Sequence, residues 1–444
     1  MAGQTLPAII RTDPAQQQRQ RRYKLNRAYY DGQHDILLSR RNNRNRPAPR
    51  NLTALFIDTT VDFVGRPTVD WGDTGPGPQL QDYLQRTLDD NDAELTDYQI
   101  ELDTAINGDG ALKVTWDVLR GRVRFAPVNP TTLFIQVNPA DPAEHWLQAQ
   151  QYPVTPASSP LVLPSGDTLP VTRQGVITEA WTLDTWELWL DDNLLDRVPN
   201  PYGILPYIVW PNTPTDGSSW GKGDGEPLKR LQDALNDKTD DLDHLIRLAS
   251  SIIVIEGLSP GEPAIGGADY AVRPGAVWEL PDKSRAYLLE LLSQSAVGQR
   301  LWDINALREI MHQLARVPVA ALGDTGRDIS GKALEIEIAP LLRVVARKRL
   351  TRTTAHRKRA IAIATLAARF AGQPDPGDLR PTITWTDPLP EDRAAEISNA
   401  TAILALGASH ATALSMSGIA DPEAELANRI AEDRRFKPIK ETPA

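Results

Sequence analysis

The sequence predicts an α+β protein, and three observations predict it. Residues 111–210 break into short β-rich runs divided by Pro and Gly. After residue 220 the leucines fall into three-four spacing, the mark of a helix with one apolar face. Residues 330–371 then form a third, longer helical stretch.

Taken in order, Asp13-Pro14 is an N-cap followed by proline at the first helical position, opening a polar helix over 13–30 with an aromatic edge of Tyr23, Tyr29 and Tyr30. Arg40, Arg41, Arg44, Arg46 and Arg50, set among Asn and Pro, read as an extended basic loop, solvated by default and otherwise a phosphate or partner contact. Residues 52–64 form an apolar helix, and 78–107 hold two helices broken near Asp89 to Asp92. Strands follow at 111–118, 122–127, 133–137, 146–152, 176–183, 186–190 and 204–210. Trp181, Trp186 and Trp189 lie among them and read as core or sheet-face aromatics rather than a ligand platform.

A glycine-rich joint at 221–225 leads into a helix whose Leu228, Leu231, Leu235, Leu242, Leu245 and Ala249 make an apolar seam. Asp233, Asp237, Asp240 and Asp241 share another face of it, and like charges so placed weaken an isolated helix by a few tenths of a kcal/mol per pair, so something outside should compensate or exploit them. Residues 251–280 read strand, Gly/Pro-rich loop, strand, with strands at 252–255 and 276–280. A second helix over 293–316 carries Val297, Leu301, Ile304, Leu307, Met311 and Leu314 on one side. Both helices should measure roughly 36 to 40 Å. Beyond a loop at 323–331, Pro340 should kink the third helical stretch, which between 343 and 359 holds Arg343, Arg347, Lys348, Arg349, Arg352, Arg357, Lys358 and Arg359 without one acid. Trp385 closes a short strand, and helices over 391–406 and 422–435 form the tail.

The 444 residues allow two to four folding units, and 41% hydrophobic content excludes disorder as the main theme. With no cysteine there is no disulfide framework, thiolate metal site or thiol nucleophile, which fits a reducing cytosol. The net charge of −10 makes any nucleic-acid contact local. No apolar run approaches a membrane span, and the N-terminus lacks the basic and apolar pattern of a secretion signal.

Gly326 to Ala333 matches the phosphate-binding pattern G-x-x-x-x-G-K, but Ala333 stands where a hydroxyl must ligate magnesium, and no convincing parallel strand precedes it. A flexible connection is the better reading, with a degenerate phosphotransferase as the alternative. The six histidines are never three to five residues apart, Asp89 to Asp92 lacks the glycine and distal glutamate of a calcium loop, and no G-x-S-x-G elbow occurs. No catalytic residue, metal or cofactor is therefore expected. A second alternative is a scaffold that binds nucleic acid through residues 343–359.

The order of segments is specific: Asn200-Pro201-Tyr202-Gly203-Ile204-Leu205-Pro206 into a strand, the glycine-rich joint, helix, strand-loop-strand insert, a helix ending Ala315-Arg316-Val317-Pro318, then Ile329-Ser330-Gly331-Lys332-Ala333-Leu334. With Tyr29-Tyr30-Asp31-Gly32 near the start, this resembles the portal proteins of tailed bacteriophages of siphovirus morphology that share the SPP1-type architecture, over about residues 23–430. The resemblance implies a ring, usually of twelve subunits, at one capsid vertex, through which double-stranded DNA is packaged and ejected. It implies a wing (1–221), a first stem helix (222–250), a clip (251–292), a second stem helix (293–316), a tunnel loop (317–331), a kinked wing helix (332–380) and a helical crown (381–444). The implied partners are the terminase large subunit, a head-tail adaptor, and the major capsid and scaffolding proteins, with no membrane. The tunnel loop would present Gly323, Asp324, Thr325, Gly326, Arg327 and Asp328 to DNA. Asp233, Asp237, Asp240 and Asp241 would line the channel, and Arg343, Arg347, Lys348 and Arg352 would lie in the wing, serving subunit contacts or genome wound outside the tunnel.

Overall fold

The computed structural model describes residues 5–34, 50–156, 158, 160–215, 218–249, 253–256, 285–288, 294–323, 331–388, 393–419 and 421–436. In chain order the helices are α1 (Leu6–Thr12), α2 (Pro14–Tyr30), α3 (Leu52–Val64), α4 (Gly77–Asp90), α5 (Ala93–Asn107), α6 (Lys229–Ala249), α7 (Gln294–Ala315), α8 (Gly331–Phe370), α9 (Arg393–Ala405), α10 (His410–Met416) and α11 (Pro422–Phe436). The strands are β1 (Pro67–Asp70), β2 (Asp109–Asp117), β3 (Arg122–Pro127), β4 (Leu133–Asn138), β5 (Asp141–Val154), β6 (Leu161–Val162), β7 (Thr168–Leu169), β8 (Gly175–Trp181), β9 (Thr185–Leu190), β10 (Asn193–Pro199), β11 (Tyr207–Pro211), β12 (Thr213–Thr215), β13 (Ser218–Lys222), β14 (Ile253–Glu256), β15 (Arg285–Leu288) and β16 (Thr382–Trp385). Among the described residues helix exceeds strand and both are substantial, which is an α+β composition.

Local chemistry sets several of these boundaries. Asp13 accepts from the Ala15 and Gln16 amides and starts α2. Asn51 does the same for Ala54 in α3, while its amide donates to the Tyr30 carbonyl at 2.6 Å and so ties two helices together. Gly108, at φ 107°, closes α5 in the left-handed region. The Asp89 to Asp92 break is a structural turn: Asn91 donates to the Thr87 and Val123 carbonyls and accepts from the Phe125 amide, fastening the α4–α5 corner to β3.

Two sheets carry the β-rich region, a five-stranded one in the order β10-β9-β8-β5-β4 and a three-stranded one in the order β11-β2-β3, both antiparallel. Trp181 and Trp186 are core residues as expected, and between them Glu179 accepts from Lys113 at 2.6 Å and from both indole N–H groups at 2.9 and 3.3 Å. Burial would raise the Glu179 carboxyl, but Lys113 and the indoles hold it below the usual range. β1 pairs with β16 across most of the chain.

The chain divides into two compact units, Met1–Thr325 with Ile338–Thr386, and Gly326–Glu337 with Asp387–Ala444. The second contains the first turns of α8 and the helices α9, α10 and α11. Gly407, at φ 95°, ends the first of these, and the Asp421 carboxylate accepts from the Ala424 amide at the start of the last.

α8 is one continuous helical span that includes Pro340, whose ring removes one backbone donor. Two expectations shift. α6 and α7, at 21 and 22 residues, are about 32 Å long rather than 36 to 40 Å. β14 pairs with β15, so its partner lies at 285–288; the strand expected at 276–280 lies outside the described residues.

Candidate functional site

α6 and α7 form a hairpin whose inner side is apolar. Leu228, Leu235, Ile304 and Met311 are buried together with Phe56 of α3, Val317, and Leu341 and Val345 of α8. Lys238 and Asp303 pair across the two helices at 3.3 Å. α7 ends at Arg316, which takes the left-handed region at φ 58°. There His312 donates through Nδ1 to the Val317 carbonyl at 2.7 Å and meets Phe56 edge-on, fixing the exit of the hairpin against α3.

The single apolar side expected on α7 divides in two. Ile304 and Met311 point into the cluster, whereas Leu301 and Leu314 stay 47% and 51% exposed. At 100° per residue, positions 301 and 314 stand on different sides of the helix. Leu314 instead joins Ile310 (43%) and, two turns further back, Trp302 (65% exposed) on one i±4 row whose intervening position is Ala306, an apolar ridge open to solvent in the single chain.

The acidic stripe on α6 also divides. Asp233 is half-buried and accepts from the Tyr29 hydroxyl at 2.7 Å, while its other oxygen is buried with no hydrogen-bond partner among the described residues. Burial, then the bond to Asp233, pushes the Tyr29 hydroxyl well above its usual range. The sequence put four carboxylates on one face; this one is an anchor between α2 and α6. Asp240 is half-buried, and Asp237 and Asp241 are exposed one turn apart. No ion pair reaches Asp237 or Asp241 from the described residues.

Part of the basic run of α8, which the sequence assigned to subunit contacts or to genome outside the tunnel, turns inward: Lys348, Arg352 and Arg359 are buried. Lys348 is buried and donates to Asp224 at 2.6 Å and to Asn212 at 2.7 Å. Arg352, 1% exposed, forms a two-pronged pair with Glu101 at 2.9 and 2.8 Å and also donates to the Asn212 carbonyl and side-chain oxygen. Arg359 pairs with Asp97, which Arg66 also reaches at 3.3 Å. A cation removed from water this far requires an opposing carboxylate and filled hydrogen bonds, and α5 supplies two of the acids from one face, at 97 and 101. Burial would raise Asp97, yet Arg359 and His356 hold it below the usual carboxylate range; burial and then Arg359 push His356 down to about 3. Burial also lowers Lys348, against the pull of Asp224. Arg343 and Arg347 remain exposed.

Sequence reasoning missed Asp97, Glu101, Asn212 and Asp224. The available signal was the i,i+4 acid pair of α5 against the arginines spaced two helical turns apart on α8.

Gly323, at φ 84°, closes a 3-10 turn over Val319–Leu322. Asp324, Thr325, Gly326, Arg327 and Asp328 lie outside the described residues, as do Arg40, Arg41, Arg44 and Arg46. The segment before the G-x-x-x-x-G-K pattern is thus a turn, not the strand a nucleotide-binding loop needs. Among the described residues no three His, Asp or Glu side chains gather to hold a metal, and no helix is long and apolar enough to cross a membrane.

Comparison with known families gives one result: a family described as phage portal protein, SPP1 Gp6-like, matches residues 11–437, nearly the whole chain. No curated protein matches it.

Proposed function

The chain belongs to the SPP1 Gp6-like family of phage portal proteins, and we propose that it assembles into a closed ring, of twelve copies, at the capsid vertex, where double-stranded DNA passes through its bore during packaging and ejection. The observation that carries this reading is the α6–α7 hairpin. One side of it is buried within the chain, and the other shows the ridge of Trp302, Ile310 and Leu314, which a neighbouring copy would cover. A head-to-tail contact of this kind closes into a ring when the rotation between copies divides a full turn.

In this assembly the hairpin is the stem, residues 251–292 the clip, residues 381–444 the crown, and most of the first unit the wing. Asp237, Asp240 and Asp241 line the bore. Each Lys or Arg at a phosphate would release counterions and tighten the hold on DNA, so an acidic wall favours passage over binding. Residues 317–331 project into the tunnel. The terminase large subunit, which supplies the ATP hydrolysis, the head-tail adaptor, and the capsid and scaffolding proteins dock on the ring, which has no catalytic activity of its own.

Mass measurement of the purified protein tests the proposal. We expect a single species of about twelve subunits, shifted toward monomers by Trp302→Ser with Ile310→Ser while the far-UV circular dichroism stays unchanged. A monodisperse monomer at micromolar concentration, or a ring indifferent to both substitutions, would overturn it.

A further inference from the structure

α2 carries Arg19, Arg21, Arg22, Lys24 and Arg27 and not one acid. Three of these charges are used inside the fold. Arg19 is buried, donates to the Pro130 carbonyl at 3.0 Å and lies 3.5 Å over the Trp220 ring. Arg22 reaches Asp109 at 3.5 Å and Glu226 at 3.6 Å, and Arg27 pairs with Asp103. Arg21 and Lys24 are exposed, and among the described residues no acid pairs with either.

Both border an open cleft of about 640 Å³ between α2 and the turn that precedes β4. Arg27, already paired with Asp103, also borders it, and the other walls are mostly neutral amides and hydroxyls, among them Gln17, Gln20, Asn129 and Thr131. Among the described residues no carboxylate and no aliphatic side chain lines it, and the one aromatic, Tyr23, is 1% exposed.

We infer that this cleft binds the phosphate backbone of double-stranded DNA, at a surface separate from the acidic bore. The composition selects that ligand. Two uncompensated cations one helical turn apart, about 5–6 Å between their Cβ atoms, match successive phosphates of one strand. Amides and hydroxyls complete such contacts without reading sequence. A protein partner would meet no apolar or aromatic anchor here, and a single strand would find no exposed ring on which to stack its bases.

The test uses a covalently closed circular duplex, which has no end to thread into a ring, so its binding reports outer surfaces whatever the oligomeric state. We expect the full-length protein to bind it at low salt. Arg21→Gln with Lys24→Gln should make the slope of log affinity against log salt shallower by about two, so that between about 50 and 200 mM salt the variant loses some tenfold less affinity than the wild type. Arg343→Gln with Arg347→Gln, which neutralises two exposed cations of α8, should leave the slope as it was. Absence of binding at low salt, an unchanged slope in the α2 variant, an equal change in the α8 variant, or displacement of the circle by poly-glutamate at equal charge would each overturn the proposal. A thermal melt identical to wild type excludes misfolding of the variants.

Discussion

α8 carries a run of cations and α6 a face of carboxylates, and on paper the two are mirror images. In the fold they behave oppositely. The cations of α8 at 348, 352 and 359 are buried against Asp224, Glu101 and Asp97, so the run acts as a set of internal rivets. On α6 Asp233 is drawn inward by Tyr29 and Asp240 is half-buried, but Asp237 and Asp241 stay in water. The charge run therefore says little by itself. What decides its role is whether another element, distant in sequence, offers the opposite sign on a matching face.

The sharpest way to break this contrast is to remove one rivet. Glu101→Ala leaves the Arg352 guanidinium buried without its carboxylate, and we expect a loss of about 3–5 kcal/mol in chemical denaturation. A loss below about 1 kcal/mol would mean that the pair is no more than a surface contact.

A pH series sharpens it further. His356 normally titrates near 6.5, but burial and then Arg359 bring it to about 3, with Asp97 pulling the other way and Arg66 and Arg352 adding to the depression. Between those values the unfolded chain takes up a proton that the folded chain refuses. This contribution to stability is thus full above pH 6.5 and lost as the pH falls toward 3. Asp97, held low by Arg359, adds a loss of the same sign at the acid end. His356→Gln should flatten unfolding free energy against pH between about 6.5 and 4, and an unaltered curve would remove His356 from the account.

The smallest effect belongs to the other side of the comparison. Asp237→Asn with Asp241→Asn should move stability by no more than about 0.5 kcal/mol, as exposed sites usually do. DNA packaging or ejection should nevertheless slow, measured as genome passage per assembled ring. A large loss of stability here would show that these carboxylates hold the subunit together.

Much of the fold was legible, and the reasons are local. Asp13-Pro14, Asn51 and Gly108 mark helix ends whose caps form within a few residues, so sequence reading places α2, α3 and α5 closely. β3 is equally plain, being a short apolar alternation between turns. By contrast β10, β12 and β13 were not read, because Asn193–Pro199 is mostly exposed and the other two are short edge pieces held by pairing. α10 is only seven residues long, shorter than helical periodicity can reveal. At the candidate site, the periodicity of α6 disclosed the acidic stripe. The inward turn of α8 was hidden because Arg352 and Glu101 lie 251 positions apart.

The pairing of β1 with β16 bears on how the molecule comes to exist. Thr68 and Thr384, which face each other in that ladder, are 316 residues apart. At roughly 5–20 residues per second, the first strand leaves the ribosome some fifteen seconds to a minute before its mate is made. Over the same interval Asp97 and Glu101 wait for the arginines of α8. The α6–α7 hairpin, with its open ridge, is thus complete on a nascent chain whose first unit is still unfinished. Synthesis order thus makes the exposed apolar ridge available before the strand that completes the β1–β16 ladder.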